Sequence, residues 1–421
     1  MGERSSKLGV APQPDGGEKT PRPGATDLGV DLKSHGVDGV ICFGSQDWWY
    51  HNRGHIDMQL MRRYAQSVTT IYVNSIVMQK PKLGAKSDFM AKVARKAKSI
   101  LNGLKATDVG FWAYSPFSMP VHHIDWLRPL NRACLNGQLK LVLHKLGVKH
   151  PIVWVACPAA CEVALKMKKA ALVYQRTDRF EEFPNVEREV IKRYDTTMKA
   201  AADLTLFVNR PLFDEEQHEC KQALYLDHGV DYDLFAGAAE DPTVPEDIVD
   251  IPKPIIGFHG SFGKHTTDFG LIRKVAELVP EYMFVFVGPK VPECESLETT
   301  RNIKMLGQRD YEVIPHYAKH FDVTIMPWCQ NRWIEACNPI KLKECLALGK
   351  PIVSTPFPEL QKYRELVYQA ATPEAFAEAI RTALAEDNAE RISARRKAVE
   401  SASWDRKARI VLGELFGERE S

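Results

Sequence analysis

The sequence predicts an α/β protein made of two doubly wound, parallel-sheet domains that face a common cleft. Three observations predict it. Short apolar runs with the look of strands alternate with stretches of helical spacing, the signature of a parallel sheet. The alternation stops once, at a stretch rich in Pro, Asp and Glu over residues 236–254, and then restarts. Finally, 421 residues are too many for one ordinary core.

The elements follow in order. Residues 1–37 are rich in Gly, Pro and charge and read as a disordered tail, with order beginning at Asp38. In the first domain, 38–235, residues 39–43 read as a buried strand followed by the loop Ser45-Gln46-Asp47-Trp48-Trp49-Tyr50. Ile56, Leu60, Met61 and Tyr64 give 55–66 helical spacing, and 68–73 is the second strand. A helix over 88–104, a strand over 109–112 and a long helix before Gly147 come next. Strands at 151–155, 171–174 and 204–208 complete the set. After the 236–254 linker, the second domain, 255–403, has strands at 255–258, 283–287, 303–306, 323–326 and 351–355, with a helix over 268–278. Helices from Pro373 onward end in one over 404–415, within a C-terminal segment 404–421 expected to pack back on the first domain.

Composition narrows the function. A hydrophobic fraction of 44% and a charged fraction of 26% are those of a globular chain. A formal net charge of +2 argues against a nucleic-acid binder, which shows a strongly basic face. The nine cysteines lack paired spacing; Cys157 and Cys161 come closest, without a His partner that would make a metal site. Reduced thiols suit a cytoplasmic protein. No signal-peptide pattern and no run of bilayer-spanning length is present, so a cytoplasmic location is expected.

The stretch NPIKLKECLALGKPIVST, 338–355, reads as a short helix feeding a buried strand, with Pro339 in the first turn and Gly349 as the stop. Glu344 either faces solvent or points to the crevice at the strand ends, where open α/β sheets bind ligands. Gly257-Phe258-His259-Gly260-Ser261-Phe262-Gly263 lies between a strand and a helix. It is either a tight turn or a phosphate cradle, with Gly260 letting the backbone approach and Lys264 as countercharge. The spacing is not that of a dinucleotide fingerprint, so a nicotinamide cofactor is not expected.

His228-Gly229-Val230-Asp231, the glycine loop, Phe286-Val287-Gly288-Pro289, Leu306-Gly307, Phe321-Asp322-Val323 and Asn338-Pro339-x-Lys341-x-x-Glu344 occur in one order. Tyr174-Gln175-Arg176-Thr177-Asp178, with Phe180 and Phe183, adds a tyrosine–aspartate pattern in the first domain. This series resembles the GT-B glycosyltransferases of family 4, especially bacterial enzymes of cell-surface polysaccharide and teichuronic-acid synthesis. The resemblance covers nearly all of the chain from Asp38, most specifically in the second domain.

The resemblance implies a nucleotide-sugar donor lying along the second domain. Glu344 would accept hydrogen bonds from both ribose hydroxyls, as a carboxylate with two acceptor oxygens can. Lys341 would neutralise the leaving diphosphate, and the backbone around Gln308 and Arg309 would border the base. The family's first glutamate falls at Ala336 here, with Glu335 next door; one residue turns a helical side chain by about 100°. Asn338 is then a candidate for holding the donor sugar.

In the first domain Asp178 follows a strand and either faces the reacting sugar, to take a proton or hydrogen-bond the donor, or caps the next helix. Asp47, Trp48 and Trp49 offer an acceptor platform or buried core. Asp231-Tyr232-Asp233 imitates a D-x-D metal signature, but it sits in the interdomain crossing, and no metal is expected. Lys80, Lys82, Lys86, Lys92, Arg95, Lys96 and Lys98 surround a helix that could rest on anionic lipid or be an ordinary solvated face.

The expectation is a glycosyltransferase moving a hexosyl group, with retention, from a nucleotide-diphosphate sugar to a glycan, lipid-linked or small-molecule acceptor, without metal or other cofactor. A nucleotide-sugar epimerase, a sugar phosphorylase and a non-catalytic nucleotide-sugar binder are the alternatives.

Overall fold

Runs such as Pro151–Val155 and Val323–Met326 become strands in which every residue is buried, the pattern of sheets covered on both faces. The computed structural model describes residues 28–418, apart from 51–52, 75, 77–93, 95, 120–125 and 184. In the first lobe β1 (Gly39–Phe43), β2 (Thr69–Val73), β3 (Leu104–Ala106), β4 (Trp112–Tyr114), β5 (Pro151–Val155), β6 (Ala171–Arg176), β7 (Leu204–Phe207) and β8 (Ala223–Tyr225) form one sheet. Its order is β3-β4-β2-β1-β5-β6-β7-β8, parallel except where β3 meets β4. Helices α1 (Ile56–Tyr64), α2 (Arg128–Lys145), α3 (Cys161–Lys166), α4 (Arg188–Ala201) and α5 (Arg210–Glu216) connect these strands.

A short helix, α6 (Tyr232–Ala238), leads to the second lobe. There β9 (Ile255–His259), β10 (Met283–Val287), β11 (Ile303–Gly307), β12 (Val323–Met326), β13 (Ile352–Ser354) and β14 (Tyr368–Gln369) take the parallel order β11-β10-β9-β12-β13-β14. Helices α7 (Phe269–Leu278), α8 (Glu295–Glu298), α9 (Ile314–Ala318), α10 (Ile340–Leu348), α11 (Pro373–Glu386) and α12 (Ala389–Glu400) accompany it, and α13 (Trp404–Phe416) closes the chain.

Strand alternation divides the first core in two. Val40 and Cys42 of β1 join one buried cluster, Ile41 and Phe43 the other, because successive side chains leave opposite faces. The first of these clusters also takes in Trp404, Ala408, Val411 and Leu412, so α13 belongs to the first lobe and packs against α1. The chain therefore crosses between the lobes twice. The crossings touch where the Val230 N–H donates to the Ala402 carbonyl at 2.8 Å and Val230 bridges Ser403.

Several expectations need correction. Order does not wait for Asp38: Leu28, Leu32 and Val37 are buried in the first lobe's core, since apolar side chains there find a surface to cover. The stretch 236–254 is not a free linker; Ala238, Ile248 and Ile251 pack into the second lobe. The strand expected at 109–112 starts later, at Trp112, after a turn at 108–110. The helix expected over 88–104 is helical at 96–102, while Leu104 already belongs to β3, and most of its first half lies outside the described residues, as do residues 1–27.

A candidate donor site between the lobes

Helix α10 organises the second lobe's side of the cleft. Pro339 is extended and sits just before the helix, which runs to a left-handed Gly349 at φ 78°. There the Gly349 and Lys350 amides return to the Leu346 and Cys345 carbonyls, closing the last turn. Everything from Leu342 to Leu348 is buried, Glu344 included at 5% exposure. Glu344 is not a solvated helix carboxylate. Its Oε2 lies 3.0 Å from Nε2 of His259, the last residue of β9, which is itself 3% exposed. Tyr311 is buried nearby, and burial followed by the charges of Glu344 and Asp231 raises its hydroxyl well above the usual phenol range.

The glycine loop follows His259. Gly260 takes φ +115°, and a Cβ there would sit 2.8 Å from Cε and 3.0 Å from Nζ of Lys341. Its role is thus to admit the lysine rather than to offer an amide, because the Gly260 N–H already donates to the Val287 carbonyl. The Lys341 ammonium lies 5.1 Å from the Phe258 ring centroid and 4.8 Å from that of Trp328. Among the described residues no carboxylate comes within ion-pair distance of it. Burial lowers its pKa, and Glu344, the foremost opposing charge, partly restores it. A cation so held, with free Ser261 and Phe262 amides beside it among the described residues, suits an anion such as a diphosphate.

Across the cleft, Asp178 follows β6. Its Oδ1 meets Nε1 of Trp333, a second-lobe residue, at 3.4 Å. Burial pushes its carboxyl up to about 6, against smaller opposing effects of the Trp333 hydrogen bond and the Arg176 charge. It does not cap a regular helix: its carbonyl accepts from Arg176 Nη1 and from the Phe180 amide. Cys337 lies between the two sides, its thiol raised by burial and Asp178 and lowered by Lys341. Asp178, Cys337 and Lys341 therefore share one region. Tyr174 of the same motif does not reach it, since its hydroxyl is bonded to Asp195 Oδ1 at 2.6 Å inside the core.

A polar seam joins the lobes next to this site. Asn338 donates its amide to the Val208 carbonyl at 2.7 Å and to Asp227 Oδ1 at 2.6 Å, so both donors are committed and only its oxygen could meet a sugar. The buried Lys343 ammonium pairs with Asp227 Oδ2 at 2.8 Å and bonds the His228 carbonyl. Glu359 accepts from the Arg210 amide at 2.6 Å and is pushed up to about 7, chiefly by burial. Sequence reading missed His259, Tyr311, Lys343, Asp227 and Glu359. His259 stood inside the quoted glycine loop and Lys343 beside Glu344, while nothing local marked Tyr311 or Glu359.

The remaining candidates scatter. Arg309 is tied to Tyr317 and to Asp247 Oδ2 at 2.6 Å, and Gln308 is exposed at the end of β11. Lys264 is exposed, as is Glu335, which lines a separate surface cavity with Gln330 and Phe357. Ala336 is buried against Phe207 and Leu212 of the first lobe, an apolar contact where a carboxylate would be stranded. Trp48 is core, not a platform: it is 2% exposed and edge-on to Phe111 at 4.6 Å. Trp49 is half-buried under Lys105, and Asp47 is bonded to Ser99 Oγ at 2.7 Å. Asp231 faces Arg63 at 3.8 Å, and among the described residues no three His, Cys, Asp or Glu side chains converge as metal ligands. Of the basic helix only Lys96 and Lys98 are described.

Two facing parallel-sheet lobes, with a buried carboxylate and an ammonium at the strand ends of the second, define the class: this is a protein of the GT-B glycosyltransferase fold. In the second lobe, residues 253–386 match the family model described as Glycosyl transferases group 1. Over 145 residues the chain is 32% identical to TuaH of Bacillus subtilis (strain 168), whose name makes it a teichuronic acid biosynthesis glycosyltransferase. That alignment covers 33% of this chain and only 36% of the relative. Among solved structures, sucrose-phosphate synthase from Thermosynechococcus elongatus shares the fold at a TM-score of 0.66 and 14% identity, over 90% of this chain and 98% of that one. HepE of Anabaena, solved with UDP and glucose, does so at 0.61 and 13%, over 91% and 100%.

Proposed function

We propose that the chain is a glycosyltransferase that takes a glycosyl group, of hexosyl type and with retention, from a nucleotide-diphosphate sugar bound along the second lobe. The observation that carries this reading is the juxtaposition at the β9 end: a buried Glu344 held through one oxygen by His259, and a Lys341 ammonium with no carboxylate partner among the described residues. Glu344 would take a vicinal diol, its orientation set by His259. Lys341 would hold the diphosphate and stabilise the charge that grows on it as the sugar leaves, in place of a metal ion. Asp178, across the cleft, would face the reacting sugar and the acceptor hydroxyl. UDP and a sugar are bound in the HepE structure, so UDP is the probe of choice.

Calorimetry on Glu344→Gln tests the assignment. Glutamine keeps a contact with His259 but weakens the grip on a diol, and hydrogen bonds to a charged group are worth about 1.5–3 kcal/mol each. UDP affinity should fall at least about tenfold with the melting temperature preserved; unchanged affinity would reject the role. Incubating a nucleotide sugar without acceptor separates the epimerase alternative, which would convert the sugar by itself.

A further inference from the structure

We propose that the outer face of α2, with Trp126 before it and Phe117 beside it, is a docking surface for an anionic lipid membrane. An amphipathic helix on a globular domain turns one apolar stripe inward and a polar face outward. Helix α2 breaks that rule. Its inner stripe is Asn131, Leu135, Leu139 and Val142, all buried. At about 100° per residue, the opposite face carries Leu130, Ala133, Cys134, Gly137 and Leu141, all exposed; Leu130 is 60% and Leu141 72% accessible. Trp126, just before the helix, is 77% accessible, and Phe117, tied to α2 through both its backbone groups and Gln138, is 51% accessible.

The charge on this helix selects the partner. It carries Arg128, Arg132, Lys140 and Lys145 and no carboxylate, in a chain whose net charge is only +2. Arg132 is drawn to Glu162 at 3.3 Å, whereas the exposed Lys140 and Lys145 flank the apolar stripe and meet no carboxylate among the described residues. Aliphatic side chains between cations, with a tryptophan at one end, match a headgroup boundary, where indole rings settle and basic groups meet anionic lipid. No helix among the described residues is long and apolar enough to cross a membrane, so this surface would lie on it. The helix also starts at the C-terminal edge of the first sheet, since β4 and β5 both run parallel to their neighbours. That edge carries Asp178, so docking would set the cleft beside the headgroups. The inference deepens the proposed function by supplying a lipid-linked acceptor, although docking itself does not depend on the donor chemistry.

Flotation of the full chain with vesicles tests it. Phosphatidylglycerol–phosphatidylethanolamine vesicles should retain the protein and phosphatidylcholine vesicles should not. Each basic side chain near such a surface is worth about fivefold, so Lys140→Ala with Lys145→Ala should weaken partitioning about 25-fold. Trp126→Ser with Leu130→Ser and Leu141→Ser should weaken it at least about tenfold, with UDP affinity and melting temperature unchanged in both variants. No partitioning, equal partitioning on both lipids, or variants that float like the parent would overturn the proposal. So would sedimentation showing a dimer that the triple variant dissociates, which would assign the stripe to a second copy of the chain. Loss of UDP binding in Glu344→Gln with flotation intact would leave docking standing.

Discussion

Replacing Asp178 by asparagine should make the protein more stable while making it a worse enzyme. Burial at the seam holds the Asp178 carboxyl near 6, against an ordinary value of 3.8. At 1.36 kcal/mol per pH unit, that gap is about 3 kcal/mol, and partial solvent access brings the usable figure to about 1–3 kcal/mol. The sign follows from proton linkage. Below about pH 3 the carboxyl is protonated folded and unfolded, and it does not bear on stability. As the pH rises to 6 the unfolded chain gives up its proton first, so stability drains from the native state. Above 6 the full penalty is present. Asparagine does not titrate and keeps an oxygen for Trp333. Urea denaturation of both proteins, without ligand, should show stabilities that coincide near pH 3, diverge through pH 6 and stay apart at pH 8 with the variant more stable. Transfer rate should fall in parallel. A variant less stable than the parent at pH 8, or offset equally at every pH, would refute the placement of this carboxyl.

Lys341→Met keeps an apolar stem against Phe258 and Trp328 but removes the charge. UDP should bind at least about tenfold more weakly while uridine binds as before, which calorimetry with the two ligands resolves. Ala336→Glu places a carboxylate against Phe207 and Leu212, so chemical denaturation should register a loss on the order of 3 kcal/mol. Trp404→Ala should cost about 3–5 kcal/mol, because a fully buried indole is lost from the first lobe's core. Near-ultraviolet circular dichroism would follow that melt.

What could be read from the sequence depended on whether its cause was local. The central strands stood out because burial on both faces forces an uninterrupted apolar run, as at 151–155 and 323–326. The edge strands β3, β8 and β14 were invisible: they are two or three residues long and partly exposed, so no pattern is imposed on them. The helix of Glu344 was legible because Pro339 and Gly349 bracket it, but those residues alone left the carboxylate facing either solvent or the crevice. Asn338 was not legible, since its partners Val208 and Asp227 lie more than a hundred residues away. Trp48 fared likewise: a platform and a core residue have the same letter, and the edge of Phe111 decides between them.

The double passage of the backbone between the lobes has a mechanical consequence. One connecting segment would act as a ball joint, leaving each half free to swivel; two, stitched together at Val230 and Ala402, act as a pin. Any swing of one lobe against the other would pivot close to that contact, since both connections are tied there. Asp227 and His228, which Lys343 grips, lie within three residues of Val230, so the helix bearing Glu344 would be anchored next to the pivot and the far rims of the groove would sweep widest.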